Sequence, residues 1–189
     1  AGVITFEDKL RPESKPTLAW LKRLGVKHML MVTGDNKTTA QTISKKLGID
    51  KVVADCLPGD KINAVEKVEF KPVAFVGDGV NDAPVLTASD VGIALGAKGN
   101  TAASESADVV IMSDDINKVA QSLDIAKRTF FIARQSILIG IFISLGLMAV
   151  FATGRFKPVH GAILQEFVDV AVIVNALRAH SGSRKKHTK

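Results

Sequence analysis

The stretch VAFVGDGVNDAP, Val73–Pro84, decides the fold. Its first four residues have the length and apolar character of a buried strand, and they run into a glycine-rich turn and then a predicted helix. Gly77 and Gly79 allow backbone geometry that a side chain would forbid, so an anionic group can approach the main chain closely. Asp78 and Asp82 add hard oxygens, which suit magnesium. The stretch predicts a phosphate or magnesium site at the carboxyl end of a parallel strand, whereas a lone GDG would also suit a solvated surface turn.

Strand and helix signals alternate on both sides of this stretch. Short apolar runs predict strands at residues 2–6, 28–32, 52–54, 73–76, 91–95 and 108–112. Helices are predicted from Ser14, over 37–47, from Pro58 and over 83–88, and residues 96–107 are predicted to be a loop. Such alternation predicts an α/β fold, with a mostly parallel sheet covered by helices on both faces.

The apolar residues are concentrated near the carboxyl end of the chain. Of 189 residues, 47% are hydrophobic and only 23% are charged. Ile137–Thr153 contains no charged residue, and Pro158–Leu177 contains two acids. Both segments approach the length of a bilayer crossing, so they predict an α-helical transmembrane hairpin. A helical pattern from Asp115 onward is predicted to continue into the first span.

The basic residues indicate how the hairpin is oriented. The net charge is +6, and Lys and Arg flank both outer ends of the hairpin. This distribution predicts cytoplasmic outer ends, and the basic residues serve as membrane anchors rather than as a nucleic-acid surface. Cys56 is the only cysteine, so no internal disulfide can form, which fits a reducing compartment.

Polar residues follow two of the predicted strands, and a lysine lies on the helix between them. Thr33, Gly34 and Asp35 follow one strand, and the turn after residue 76 follows another. Lys61 lies near the start of the intervening helix. Phosphoryl transfer requires a hydroxyl and backbone amides that hold the phosphoryl group. It also requires a lysine that neutralises the charge of this group, and carboxylates that bind magnesium.

The order of these motifs resembles the carboxyl-terminal part of a P-type ATPase of the heavy-metal-translocating branch. The motifs are TGDN at 33–36, PGDK at 58–61, GDGVNDAP at 77–84 and, after two apolar spans, NALR at 175–178. The resemblance implies a partial haloacid-dehalogenase-like (Rossmann-like) phosphorylation domain and ATP-driven transport through an aspartyl-phosphate. It also implies Mg²⁺ and ATP as cofactors, and a multi-pass cell membrane protein whose sheet domain and C-terminus are cytoplasmic. The implied domains are residues 1–133 for the phosphorylation domain, 134–154 and 158–179 for the transmembrane helices, and 180–189 for a basic tail.

The same resemblance assigns roles to individual residues. It implies that Thr33 and Gly34 bind the phosphoryl group and that Lys61 compensates its charge. Asp78 would hold magnesium, and Asn81 would contact phosphoryl oxygens. Asp82 would orient neighbours such as Lys61, and Gly77 and Gly79 would line the turn. Asp35, and the turn that contains Asp8 and Arg11, would line the nucleotide approach and the domain hinge.

The sequence also departs from the family pattern. It has no DKTGT motif, which carries the phosphorylated aspartate of the family, and no TGE or Cys-Pro-Cys motif. We therefore expect a fragment of a longer pump that is inactive alone and whose partner is the missing amino-terminal part. Two alternatives stay open, namely a non-catalytic membrane protein derived from a pump and a phosphatase of the same superfamily.

Glu166 and Asp169 are the candidate ligands of the transported ion. They are three residues apart, so both project from one side of the second predicted span. Carboxylates inside a bilayer normally face a cavity, a partner charge or an ion, although they can also be hydrogen-bonded structural acids. Oxygen ligands favour divalent zinc, cadmium, cobalt or manganese over monovalent copper. The preceding Gln165 stands where the cobalt and zinc type of pump has histidine, so the sequence does not assign the ion.

Overall fold

Two structural units, residues 1–123 and 124–189, make up the chain, and each is described by itself. The structure is a computed structural model that describes residues 10–78, 80–96, 102–155 and 157–180. The predicted strand at 2–6 lies outside these residues. The domain boundaries predicted from the sequence remain predictions.

The first unit alternates strands and helices, and its last helix continues into the second unit. The described strands are β1 (Leu30–Val32), β2 (Lys51–Val53), β3 (Ala74–Gly77), β4 (Val91–Leu95) and β5 (Val109–Ile111). The described helices are α1 (Ser14–Arg23), α2 (Lys37–Leu47), α3 (Pro58–Glu66), α4 (Ala83–Ala88), α5 (Ala102–Ser106), α6 (Asn117–Phe151) and α7 (Pro158–Leu177).

The strand pairs in the described part of the chain are all parallel, as predicted, but the strands form two ladders. β1 pairs with β2, with Leu30 opposite Lys51. β3, β4 and β5 form the second ladder, in which Ala74 lies opposite Val91. Within the described residues, β1 and β3 therefore each have one hydrogen-bonded neighbour. The carboxyl ends of β1 and β3 lead into the two polar loops of the candidate site.

Local capping explains why α2 has the predicted bounds. The Asn36 side chain accepts a hydrogen bond from the Thr39 amide, 3.0 Å away, and so satisfies one free donor of the first turn. Gly48 ends the helix with φ +70°, a left-handed conformation that glycine adopts without steric cost. The cap places the Thr33–Asp35 loop directly before the start of the helix.

The core of the first unit lies on both faces of the second ladder. On one face Ala94 packs with Leu86 of α4 and Ala103 of α5. On the other face Ile93 packs in a cluster that includes Val119, near the start of α6. Helices therefore cover both faces of this ladder, as the sequence predicted.

The prediction of a loop over residues 96–107 is wrong in part. Residues 102–106 form α5, and Ala103 is buried at 2% exposure. Alanine is the best helix former, and burial of its methyl group against α4 stabilises this single turn. The sequence prediction gave more weight to the glycines before residue 101 than to the alanines after it.

The second unit contains two long apolar helices. α6 has 35 residues and α7 has 20, and both are long and apolar enough to cross a membrane. Most of their large hydrophobic side chains are exposed, so neither helix is buried within the part of the chain that the structure describes. α6 runs without a break from Asn117, which confirms the continuous helix predicted from the sequence.

Candidate functional site

An ion pair between Lys61 and Asp82 lies at the centre of the candidate site. Lys61 Nζ donates to Asp82 Oδ1 across 2.7 Å. The two side chains are 22% and 10% exposed, so solvent screens the pair far less than it screens a surface pair. The Asp60 carboxylate accepts from the Leu57 amide and thereby caps α3, which fixes the turn that carries Lys61.

Gly77 makes room for the Asp82 side chain. Asp82 closes the short 3₁₀ turn Val80–Asp82 and precedes α4. A Cβ atom at Gly77 would lie 2.7 Å from Asp82 Oδ2 and 2.9 Å from Phe75 Cε1, closer than real Cβ contacts. Only glycine therefore lets Asp82 fold back against the end of β3 towards Lys61. The sequence prediction had Asp82 orienting Lys61, and the structure contains the contact that this role requires.

The loop after β1 is organised around the Thr33 hydroxyl. Thr33 Oγ1 donates to Asp35 Oδ2 across 2.9 Å, and the Asp35 amide donates back to Thr33 Oγ1 across 3.1 Å. The Thr33 amide donates to the Val53 carbonyl, which extends the pairing of β1 with β2 by one bond. Gly34 and Asp35 are exposed and accessible to a ligand.

The predicted magnesium ligand stands at the end of β3. Asp78 and Asn81 are both exposed, and Gly79 lies outside the described residues. The described residues contain no group of three His, Cys, Asp or Glu side chains that could hold a metal ion. Mg²⁺ commonly uses one or two carboxylates and completes its shell with water and phosphate oxygens. The exposed carboxylate of Asp78 fits that type of binding.

Arg11, predicted to line the nucleotide approach, contacts the segment before α6. Its Nη1 donates to Asp114 Oδ1 across 2.6 Å and to the Asp114 carbonyl across 3.1 Å. The hydrogen bond with Asp114 raises the pKa of the Arg11 guanidinium, and the negative charges of Asp114, Glu13 and Asp78 raise it further. Asp8, its predicted companion, lies outside the described residues.

In the second unit, Asp169 has a polar neighbour that the sequence analysis did not assign to it. Gln165 Nε2 donates to Asp169 Oδ1 and to Ser144 Oγ, each across 3.0 Å. Glu166 is exposed on α7. The i, i+4 spacing of Gln165 and Asp169 could have indicated their contact. No comparable signal in the sequence pairs Ser144 with Gln165.

A second polar contact joins the same two helices. Asn175 Nδ2 donates to Ser136 Oγ across 2.7 Å, and Arg178 donates to Asn175 Oδ1 across 3.0 Å. Ser136 is 3% exposed, so an unpaired hydroxyl there would be costly. Asn175 therefore joins α7 to α6 through a partly buried hydrogen bond.

Comparisons with known proteins identify the fold of the first unit. A model of the haloacid dehalogenase-like hydrolases matches residues 1–90. A crystal structure of a zinc-transporting PIB-type ATPase in the E2.Pi state matches 92% of this chain with a TM-score of 0.80 and 35% identity. The first unit thus has the fold of the haloacid dehalogenase-like hydrolases.

Two relatives and the same solved structure identify the family. The chain is 41% identical over 181 residues to the zinc-transporting ATPase of Bacillus subtilis. The aligned region covers 94% of this chain and 28% of that protein. It is 40% identical over 191 residues to copper-transporting ATPase 2 of Rhizobium meliloti, covering 96% of this chain and 23% of that protein. The chain belongs to the heavy-metal-transporting P-type ATPases. It spans about a quarter of the length of these relatives, and 28% of the solved structure.

Proposed function

We propose that this chain is the part of an ATP-driven heavy-metal pump that binds the transferred phosphoryl group and supplies two membrane helices. The Lys61–Asp82 ion pair carries the proposal, because it holds an ammonium group at the carboxyl ends of parallel strands. Its 2.7 Å contact lies in a chain whose relatives are metal-transporting ATPases. The aspartate that becomes phosphorylated would be supplied by a part of the pump outside these 189 residues.

Each predicted site residue of the first unit has a role in this proposal. The Gly34 amide donates to a phosphoryl oxygen, and the Thr33 hydroxyl turns its one proton from Asp35 to another phosphoryl oxygen when the ligand binds. Lys61 neutralises the charge of these oxygens. Asn81 donates to the same oxygens. A fixed array of donors stabilises charge that develops during transfer because it needs little reorganisation.

Asp82 acts through Lys61. With one carboxylate oxygen 2.7 Å from Nζ and little exposure, Asp82 holds the ammonium group of Lys61 in a fixed orientation. Asp78 would hold Mg²⁺, which when bound neutralises phosphate charge and orients the phosphate oxygens. Asp8, Arg11 and Asp35 would line the approach of ATP, and the exposed Asp35 carboxylate is accessible to it.

The cargo proposed is a divalent metal ion, with Glu166 and Asp169 among its ligands. Relatives carry different metals, since one is named for zinc and another for copper. Carboxylate oxygens are harder ligands than thiolates, which favours zinc, cadmium, cobalt or manganese over monovalent copper. The basic residues that flank the hairpin support a cytoplasmic location for the sheet unit and the C-terminus.

The test is metal-stimulated ATP hydrolysis by the full-length parent protein in lipid. Zinc, cadmium, cobalt, manganese, nickel and copper are compared for the wild type, Glu166→Ala and Asp169→Ala. Asp124→Ala, which removes an exposed acid on α6 outside the predicted span, is the matched control. We expect stimulation by a divalent ion that both α7 substitutions abolish and the control preserves. Stimulation that survives both would exclude these acids as ligands, and a wild type without ATP hydrolysis would favour the non-catalytic alternative.

A further inference from the structure

Asp55 has an unusual backbone conformation immediately after β2. Its φ is +54°, and it is the only non-glycine residue with positive φ among those that the structure describes. Aspartate tolerates the left-handed region better than most residues, glycine adopts it freely, and β-branched residues resist it. Such a conformation persists only where the surrounding structure determines it.

The turn at Asp55 is hydrogen-bonded to the Thr33–Asp35 loop. The Asp55 amide donates to the Asp35 carbonyl across 2.8 Å, and the Cys56 amide donates to the Thr33 carbonyl across 3.1 Å. The last ladder pair of β1 and β2 is Val32 with Val53, so both bonds lie beyond the regular pairing. The left-handed residue redirects the chain so that two successive amides point at the loop.

The backbone of the same turn also packs beside Gly34. A Cβ atom at Gly34 would lie 3.4 Å from the Cys56 carbonyl oxygen, which is ordinary van der Waals contact. Cys56 itself is buried. The loop is therefore held by hydrogen bonds at Thr33 and Asp35 and is bounded by backbone at Gly34.

The Asp55 carboxylate takes no part in these contacts. Asp55 is exposed, and its carboxylate forms no hydrogen bond or ion pair with another residue in the described ranges. The contribution of this residue to the loop therefore comes from its main chain. Residues that allow the left-handed conformation should replace it, whatever their charge.

We propose that Asp55 is a positioning residue for the phosphoryl-binding loop. Its left-handed turn fixes the Thr33 and Asp35 carbonyl groups and so fixes the loop that carries the Thr33 hydroxyl and the Gly34 amide. The proposal rests on the proposed function, in which Thr33 and Gly34 bind the phosphoryl group.

The test is a substitution series at this position in the full-length pump in lipid. Inhibition of ATP hydrolysis by orthovanadate, a phosphoryl analogue, is measured for Asp55→Gly, Asp55→Asn, Asp55→Ala and Asp55→Val. We expect Gly and Asn to match the wild type, Val to weaken inhibition about tenfold and Ala to lie between them. Asp50→Val, at an exposed acid before β2 that lacks a positive φ, should leave inhibition unchanged.

Hydrogen exchange provides a readout that does not depend on activity. Peptides that cover residues 33–36 and 54–57 should exchange faster in Asp55→Val than in Asp55→Gly, whereas peptides of β4 should not change. If the wild type did not hydrolyse ATP but the variants showed this exchange pattern, the proposed function would be refuted. The role of Asp55 in positioning the loop would be retained. Equal exchange in Asp55→Val and Asp55→Gly would overturn that role. It would also be overturned if orthovanadate inhibited Asp55→Asn and Asp55→Gly as weakly as it inhibits Asp55→Val.

Discussion

The two units of the chain each hold a candidate site carboxylate, but they hold it differently. Asp82 is 10% exposed at its side chain and accepts from the ammonium group of Lys61, 2.7 Å away. Asp169 is exposed on α7 and accepts from the neutral amide of Gln165, 3.0 Å away. The first carboxylate is fixed by a charged partner in a packed unit, whereas the second has a weaker partner that a bound cation could replace.

This difference matches the tasks proposed for the two carboxylates. A group that positions a phosphoryl ligand gains from rigidity, because the donors must already be in place when charge develops. A ligand of transported cargo must bind an ion and release it again, which a strong permanent partner would prevent. The following experiments test the contrast between a rigid sheet site and an adaptable hairpin.

The largest effect is expected from breaking the Lys61–Asp82 pair. Lys61→Ala and Asp82→Ala should each lower ATP hydrolysis by the full-length pump about 100-fold or more, because each disables the same charged donor. The double variant should be little worse than either single variant. Lys71→Ala, which breaks the exposed 3.6 Å pair with Asp90, should change the rate by about twofold or less. If the fold-losses in ATP hydrolysis of the two single variants multiplied in the double variant, Lys61 and Asp82 would act independently and not as a pair.

A smaller but still large effect is expected from Gly77→Ala. The new methyl group would displace Asp82 or Phe75, since it would lie 2.7 Å from Asp82 Oδ2, and overpacking of this kind costs about 1–3 kcal/mol. The apparent midpoint of thermal unfolding and the ATP hydrolysis rate should both fall. Gly59→Ala is the matched control, because its Cβ would meet nothing within 4 Å and alanine favours the helix. A Gly77→Ala variant as active and stable as Gly59→Ala would show that Asp82 does not need this space.

A modest effect is expected from the polar contact within the hairpin. A double-mutant cycle of Ser136→Ala and Asn175→Ala should give a coupling free energy of about 0.6 kcal/mol, the average for hydrogen bonds between membrane helices. The measurement is unfolding of the protein by sodium dodecyl sulfate in mixed micelles. If the coupling free energy between Ser136 and Asn175 were as large as that between Lys61 and Asp82, the two units would not differ in the strength of their polar contacts.

An effect as small as that of the polar contact is expected from the close approach of the two membrane helices. A Cβ atom at Gly140 would lie 3.2 Å from Val172 Cγ2, whereas one at Gly146 would meet nothing within 4 Å. Gly146→Ala should stabilise α6 by about 0.5–1 kcal/mol, and crowding should cancel most of that gain in Gly140→Ala. The same detergent titration measures both variants. Equal gains at the two glycines would show that the hairpin adapts without cost at Gly140.

The sheet site could be predicted from the sequence because chain order fixes its geometry. Parallel strands bring their carboxyl ends to the same edge, so the sequence predicts that Thr33, Lys61 and Asp82 share one region. Of these three, the structure brings Lys61 and Asp82 into contact. Helix bounds were also predictable where a cap was present, as at Asn36 and Gly48 in α2. These signals are local, so they do not depend on how distant segments pack.

The contacts that the sequence did not predict depend on packing between segments distant in sequence or on backbone conformation. Ser144 meets Gln165 only because two helices pack in one register, which neither helix specifies alone. Asp55 carries no signal in the sequence, because aspartate is common in ordinary turns and its positive φ is seen only in the structure. α5 was missed because it is a single turn stabilised by burial of Ala103.

The division of the strands into two ladders has a consequence for handling this chain by itself. β1 and β3 each present one edge whose N–H and C=O groups have no strand partner in the described ranges. Exposed strand edges are templates for pairing with other chains, and short apolar strands with few charges do little to prevent it. The polypeptide expressed alone is therefore expected to self-associate through its strands.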